Sequence, residues 1–182
     1  TKDDFEVNEN ILLNLTSDLD VVFLCSPNNP TGKKIPKNLL TQILEKCVEY
    51  QIRLILDECF YEFLENPEEA TMQAEVKNCS QLVILRAFTK MHSIPGLRLG
   101  YILCRDNSLL ERMQRVRQPW NVSTVAQAAG VAAIEEGARV EKTRQYITKE
   151  RKRMELELES IGISYIPSDA NYILIYYEGK ES

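Results

Sequence analysis

The chain has 182 residues, of which 44% are apolar and 27% charged, and its formal net charge is −5. These proportions are those of a globular protein and exclude a disordered or fibrous one. The charges form no long block of one sign, which argues against a nucleic-acid-binding surface or a membrane-surface patch. We therefore expect a small-molecule ligand and other protein as partners, with no nucleic acid and no membrane.

Cysteine usage indicates the compartment. The five cysteines are an odd number without a CxxC pair, and the chain has one histidine, so the sequence predicts neither a disulfide framework nor a metal site. The sequence shows no basic and apolar leader, and no apolar run near the length of a membrane span. We therefore predict a cytoplasmic location. The chain begins at Thr1 without a methionine and stops just after a strand-like run, so we expect the parent protein to extend beyond both ends.

Short apolar runs predict the strands of a sheet. They lie at 21–25, 52–56, 82–85 and 99–104. Between the first two runs, apolar residues recur at helical spacing from Pro36 to Tyr50, whereas Asn66 to Ser80 is a polar stretch. Strands that alternate with helical connections predict an α/β fold with a mostly parallel sheet flanked by helices.

The second half of the chain is predicted to be mainly helical. A helix over 109–117 precedes a second, Ala-rich helix that Ser123 caps and Gly137 ends. A long charged helix then runs to Gly162, and a strand follows at 172–177. One apolar face of the long helix is predicted from Val140, Ile147, Met154, Leu158 and Ile161. We therefore divide the chain into part of a large ligand-binding domain (1–136), a long connecting helix (137–162) and the start of a small C-terminal domain (163–182).

Polar residues of unlike chemistry follow the predicted strands. Ligands of open α/β sheets bind outside the carboxyl ends of the strands, so these positions are the candidate site. Asn29 lies in the turn after the first strand, Asp57 follows the second, and Lys90 and Arg98 follow the third. Each alone could be a turn, a helix cap or a solvated loop. Together they offer an amide, a carboxylate, an amine nucleophile and a guanidinium fork.

Four motifs then identify a family. SPNNPTG, DECFYEF, RAFTK and PGLRLGY occur in this order, and Asn29, Asp57, Lys90 and Arg98 are spaced by 28, 33 and 8 residues. This arrangement resembles the fold-type I, pyridoxal-phosphate-dependent enzymes of the aminotransferase class I and II family. The Trp120 loop and the closing SDANY sequence are similar to that family as well. The resemblance implies an aspartate-aminotransferase-like fold, of which the chain holds part of the large domain, pyridoxal 5'-phosphate as the cofactor, and a homodimer.

The resemblance also implies a role for each site residue. Lys90 would form the Schiff base with the cofactor and move protons at the substrate α-carbon. Asp57 would pair with the pyridine nitrogen, and Asn29 would donate to the phenolate oxygen. Arg98 would bind the cofactor phosphate through its planar fork, and the Thr89 hydroxyl would add a second phosphate contact.

Two positions depart from the family pattern. Phe60 stands where the family usually has a tyrosine that binds the phenolate oxygen. Tyr61 is one place on and, if the segment is a strand, faces the other way. Ala87 replaces a serine that often contacts the phosphate. These departures remove one contact each and make transamination less favoured.

Within the family, Phe60 and the segment 115–122 most resemble the threonine-phosphate decarboxylases of cobalamin biosynthesis. The alternative is a histidinol-phosphate aminotransferase or a related class I/II aminotransferase, and both groups bind a phosphorylated amino compound. A non-catalytic relative is a third reading, which the amine of Lys90 disfavours. His92 is expected to be a loop or interface residue. The family's substrate-carboxylate arginine would lie beyond Ser182 and its phosphate-binding turn before Thr1, so we expect this chain by itself to be inactive.

Overall fold

The computed structural model describes residues 5–176. Its centre is a four-stranded sheet formed by β1 (Val21–Cys25), β2 (Arg53–Asp57), β3 (Leu82–Ala87) and β4 (Gly100–Cys104), which lie side by side in that order. The first three strands are parallel, and β4 runs antiparallel to β3. The α/β fold with a mostly parallel sheet, as predicted from the sequence, is confirmed.

Helices and turns occupy the connections. They are α1 (Ile11–Asn14), α2 (Lys37–Glu49), α3 (Pro67–Ala70), α4 (Gln73–Val76), α5 (Asn107–Val116), α6 (Thr124–Ile134) and α7 (Gly137–Ser160), with 3-10 turns at Tyr61–Phe63 and Pro95–Leu97. A two-stranded antiparallel ribbon, β5 (Tyr165–Ile166) with β6 (Leu174–Ile175), follows α7.

The main core lies between α2 and the sheet. The helix buries an apolar face that includes Leu40 and Ile43, which are fully buried, as are Leu54 and Leu56 of β2. This is the arrangement that helical periodicity between two apolar runs predicts. The polar stretch 66–80, for which the sequence predicted no element, contains α3 and α4; they are held because Met72 and Val76 enter the same core.

Side-chain caps begin two of the helices. The Ser123 hydroxyl accepts a hydrogen bond from the Ala126 N–H (3.1 Å), which confirms the predicted cap of α6. Asp106 caps α5 in the same way through the Leu109 N–H (3.0 Å). Gly137, predicted as the end of α6, is the first residue of α7, so only two residues separate these helices.

The apolar face predicted for α7 is only partly buried. Met154 is 46% exposed and Ile161 68% exposed, whereas Arg151 is buried. Val140 and Ile147 do pack, against a second cluster that contains Phe60, Phe63, Met91 and Ala170. The strand predicted at 172–177 is limited to Leu174–Ile175, and Tyr177 lies outside the described residues. The division into large domain, connecting helix and small domain stays a prediction.

Candidate active site

The carboxyl ends of β1, β2 and β3 meet at one edge of the sheet. Cys25 is the register partner of Asp57, and Asp57 is the register partner of Leu85. Backbone hydrogen bonds continue this pairing one residue further, from the Ser26 N–H to the Asp57 oxygen (2.9 Å) and from the Glu58 N–H to the Leu85 oxygen (2.9 Å). The residues that follow the three strands are therefore neighbours in space.

The backbone of Cys59 holds the Asp57 carboxylate at this edge. Its Oδ1 atom accepts a hydrogen bond from the Cys59 backbone N–H (2.8 Å). The Cys59 thiol also donates to the carboxylate, and its pKa is raised to about 12, first by burial and then by this hydrogen bond and the charge of Asp57. The positive charge of Lys90 acts on the same thiol in the opposite direction. Asp57 and Lys90 are thus both close enough to Cys59 to act on its thiol.

Lys90 lies in the turn that follows β3. Its side chain is exposed, and Nζ donates to the Thr89 hydroxyl (3.2 Å). The same nitrogen is 5.6 Å from the centroid of the Phe60 ring. Thr89 is buried, and its hydroxyl lies beside the amine. Lys90 is therefore accessible to a ligand, and Thr89 and Phe60 are its neighbours.

The SPNNPTG turn is tightly closed. The Asn28 N–H donates to the Lys33 oxygen (2.8 Å), and the Gly32 N–H donates back to the Asn28 oxygen (2.6 Å). Cis peptide bonds precede Pro27 and Pro30. Asn29 is exposed at the tip; burial raises the pKa of Cys25, and a hydrogen bond from the Asn29 backbone N–H opposes that rise. The amide of Asn29 is therefore carried on a closed loop directly above the end of β1.

Arg98 ends the connection that contains Lys90. A hydrogen bond from the Phe88 N–H to the Leu99 oxygen (3.1 Å) closes this connection at its base. The Arg98 side chain is exposed, its backbone is left-handed (φ +51°), and Nη1 donates to the Pro95 oxygen (3.1 Å). The structure brings together the Asn29 loop, Asp57, Lys90 and Thr89. The convergence of the Arg98 guanidinium with them stays a prediction.

Below the site lies a buried ion pair that sequence reasoning missed. Glu58 is 2% exposed and Arg86 6% exposed, and Nη2 of Arg86 donates to Glu58 Oε2 (2.8 Å). Glu58 also accepts from the Thr71 hydroxyl (2.8 Å) and from the Met72 N–H (2.9 Å). Because Asp57 pairs with Leu85, the next residues of the two segments fall side by side, and this register was the signal that could have found the pair.

The surroundings of Phe60 and Tyr61 correct one expectation. Residues 61–63 form a 3-10 turn, so the strand alternation assumed for Tyr61 is wrong. Tyr61 is nevertheless directed elsewhere, because its ring lies 3.8 Å from the Arg86 guanidinium carbon and its hydroxyl accepts from Arg86 Nη1 (3.0 Å). Phe60 is the residue that faces Lys90, and its ring packs against that of Tyr172 in a T-shaped arrangement with 5.1 Å between centroids.

A separate cavity of about 640 Å³ lies beside the site and is lined by Tyr61, Phe88, His92, Tyr101 and Arg144 among others, but by none of the predicted cofactor residues. His92 lies in the loop after Lys90, as expected, and burial lowers its pKa although the Glu62 carboxylate is 3.8 Å away.

No group of three or more His, Cys, Asp or Glu residues within 5–176 is arranged to hold a metal ion. None of the helices in this range combines the length and the apolar character that crossing a membrane requires.

A family model and two curated relatives match most of this chain. The family model for aminotransferase class I and II matches residues 2–179. The threonine-phosphate decarboxylase of Salmonella typhimurium is 37% identical over 98% of this chain and 49% of its own length. Histidinol-phosphate aminotransferase 1 of Cupriavidus pinatubonensis is 32% identical over 88% of this chain and 42% of its own length.

A solved structure shares the fold. The histidinol-phosphate aminotransferase of Clostridium acetobutylicum superposes with a TM-score of 0.90 and 31% identity, over 97% of this chain and 53% of that one. The predicted aspartate-aminotransferase-like large domain is thereby confirmed as a partial one, and the chain spans about half the length of the curated relatives it matches. Homologues in this family use pyridoxal phosphate. The family expected from the four motifs is confirmed: the chain belongs to the aminotransferase class I and II family.

Proposed function

We propose that the full-length protein is a pyridoxal-phosphate-dependent enzyme that acts on a phosphorylated amino acid, with Lys90 as the residue that bonds to the cofactor. The observation that carries this proposal is that the carboxylate of Asp57 and the amine of Lys90 both act on the Cys59 thiol, at the carboxyl edge of the sheet. Membership of the aminotransferase class I and II family supports it.

The donor chemistry fits the cofactor. A carboxylate that already accepts an N–H bond, as Asp57 does, can accept one from a protonated ring nitrogen, and an accessible amine such as Lys90 can condense with an aldehyde. When bound, pyridoxal phosphate supplies an electron sink for charge that develops at the substrate α-carbon.

Each residue of the chain then has a defined task. Asp57 would keep the ring nitrogen protonated, and the Asn29 side-chain amide would donate to the phenolate oxygen. Lys90 gives and takes the proton at the α-carbon, for which its exposed amine has the required freedom. Arg98 and Thr89 would bind the phosphate, Arg98 through its guanidinium N–H donors and Thr89 through its hydroxyl.

Among the reactions of this family we propose decarboxylation of threonine phosphate, a step of cobalamin biosynthesis. Phe60 supports this choice, because it leaves the site without the tyrosine hydroxyl that the family usually places there. The 37% identity to a threonine-phosphate decarboxylase over 98% of the chain supports it as well. Transamination of histidinol phosphate is the second candidate, which the match in fold to a histidinol-phosphate aminotransferase favours.

The test is a direct comparison of two reactions. The full-length protein, loaded with pyridoxal phosphate, is given O-phospho-threonine, and released carbon dioxide is measured. A parallel assay supplies histidinol phosphate and 2-oxoglutarate and measures glutamate. We expect carbon dioxide release to be the faster reaction; faster glutamate formation reverses the assignment, and the Lys90→Ala variant is the control for both.

A protein that performs neither reaction needs a second measurement. Borohydride reduction in the presence of pyridoxal phosphate, followed by peptide mapping, locates the lysine that carries the cofactor. Modification of Lys90 in stoichiometric amount supports a catalytic protein with another substrate. Scattered modification of several lysines supports a non-catalytic relative.

The proposal includes a homodimer in the cytoplasm for the full-length protein. Light scattering of the purified full-length protein tests the dimer, and a monomeric mass refutes it.

A further inference from the structure

The segment Ser168–Tyr172, which we call the clasp, binds the SPNNPTG turn from the far end of the chain. The Asp169 N–H donates to the Gly32 oxygen (2.9 Å), and the Lys34 N–H donates to Asp169 Oδ2 (3.2 Å). The Tyr172 hydroxyl donates to the Asn28 oxygen (2.9 Å) across a sequence separation of 144 residues. Two hydrogen bonds therefore join the candidate cofactor loop to a segment that follows α7, and a third joins that segment to Lys34 just after the loop.

Gly32 makes this approach possible. A Cβ atom at Gly32 would lie 1.9 Å from Ser168 Oγ and 2.7 Å from Ser168 Cβ, and the glycine also has a positive φ of +72°. Ser168 is itself buried. Two features thus require a glycine at the last position of the SPNNPTG motif. The clasp packs directly against it, and the turn needs its positive φ.

The clasp is held rigidly by α7. The buried Arg151 donates through Nη1 to the Asp169 oxygen (3.1 Å) and to the Ala170 oxygen (2.8 Å). The Ser168 hydroxyl accepts from the Ala170 N–H (3.0 Å). A change in the position of α7 is therefore passed to the clasp through its backbone.

Tyr172 is the member of the clasp that reaches the site. The Asn28 oxygen accepts from both Tyr172 and the Gly32 N–H, and Asn28 directly precedes Asn29. The tyrosine ring packs against Phe60 in a T-shaped arrangement, and the centroid of the Phe60 ring lies 5.6 Å from Lys90 Nζ. Burial, together with the charges of Cys25 and Asp57, raises the pKa of Tyr172, so its hydroxyl stays a donor at neutral pH.

We propose that Tyr172 is a positioning residue, which fixes the Asn29 amide against the cofactor by tethering the Asn28 carbonyl. The clasp then links the orientation of α7 to the geometry of the cofactor site. The effect on the cofactor rests on the proposed function, whereas the tether itself does not. Two measurements separate these parts.

The first measurement needs no cofactor. In the cofactor-free full-length protein, Tyr172→Phe removes only the hydroxyl and keeps the ring against Phe60. We expect amide hydrogen exchange at Gly32 to accelerate by about 2-fold to 10-fold, the factor that one lost neutral hydrogen bond produces. Tyr165→Phe is the matched control, because it removes an exposed hydroxyl that donates to Glu159 (2.6 Å) away from the site. Equal exchange in both variants overturns the tether.

The second measurement follows the visible band of the bound cofactor against pH. A weakened donor to the phenolate oxygen raises the pKa of the bound cofactor, so Tyr172→Phe should move the pH midpoint upward by about 0.4 to 1 unit. Asn29→Ala should move it in the same direction, and the double variant should add little to Asn29→Ala alone. An unchanged midpoint with accelerated exchange makes Tyr172 merely structural and overturns the positioning role.

A wild-type protein that forms no such band refutes the proposed function, and with it the cofactor part of this inference, while the exchange result still decides the tether.

Two further variants give an independent check: the single variant Gly32→Ala, and the double variant that combines Gly32→Ala with Ser168→Gly. The single variant should accelerate exchange across the loop, and the double variant should recover part of the loss because the colliding side chain is gone. No recovery contradicts the contact between the clasp and the turn.

Discussion

Replacing Arg86 by methionine removes one partner of the buried pair beneath the site. Arg86 donates five hydrogen bonds: two to Glu58, and one each to Tyr61, Thr71 and Gln73. After the substitution Glu58 keeps only the Thr71 hydroxyl and the Met72 N–H as donors, and its carboxylate stays buried without a cation.

The expected loss of stability follows from this desolvated charge. Removing one partner of a buried ion pair costs about 3–5 kcal/mol, because the remaining charge has left water without compensation. The pair itself contributes much less, since both groups lose hydration on folding. Glu58→Gln in the Arg86→Met background should therefore recover part of the loss, because the neutral amide is cheaper to bury.

Chemical denaturation of the cofactor-free full-length protein, followed by circular dichroism at a fixed protein concentration, measures the effect. Arg153→Met is the control: Arg153 also forms two ion pairs, with Glu150 and Glu157, but these are exposed on α7 and should leave the midpoint nearly unchanged. If Arg86→Met shifts the midpoint no more than Arg153→Met does, or if Glu58→Gln makes the loss worse, the argument from buried charge is wrong.

Three further outcomes are expected of the full-length protein. Lys90→Ala should abolish the visible band of the covalently held cofactor and all turnover while the far-ultraviolet spectrum is unchanged, since this exposed side chain contributes little packing; a band that survives refutes the attachment. Arg98→Ala should weaken cofactor binding by about 1.5–3 kcal/mol in a titration, and unchanged affinity means that Arg98 does not reach the phosphate. His92→Asn should flatten the pH dependence of the free energy of unfolding. Burial lowers the folded-state pKa of His92, so the stabilisation that its neutral imidazole gives is present above the unfolded-state pKa of about 6.5 and is lost as pH falls toward the folded-state pKa. Equal slopes for both proteins between pH 7 and 5 would contradict this.

The sheet could be predicted from the sequence because its strands are continuous apolar runs between turn residues. Cap chemistry likewise predicted the start of α6 at Ser123. Asp57 and Lys90 could be predicted as neighbours because parallel strands bring their carboxyl ends to one edge. Those inferences depend on local pattern and on one topological rule.

The remaining features depend on contacts between distant segments, which a single sequence does not specify. The short helices α3 and α4 pack because Met72 and Val76 enter the core, and the Tyr61 hydroxyl accepts a hydrogen bond from Arg86, which lies far from it in sequence. Periodicity placed Met154 on a buried face, but periodicity says only that a face is apolar and not that another segment covers it. The contact of Tyr172 with Asn28 spans most of the chain and could be found only from the fold.

Because β4 runs antiparallel to β3, the length of the connection between these strands sets where the site residues on it lie. A helical crossover after β3 would have carried the chain to the opposite end of the sheet, whereas the return through β4 keeps residues 89–98 at the edge where Asp57 lies. The Phe88–Leu99 hydrogen bond pins both bases of this excursion, with Lys90 two residues from one base and Arg98 one residue from the other. An insertion or deletion here would change the distance between amine and guanidinium, whereas the segment that contains α3 and α4 lies outside that constraint. Among natural variants, we therefore expect insertions and deletions to be excluded from residues 89–98 more strictly than amino-acid replacements are.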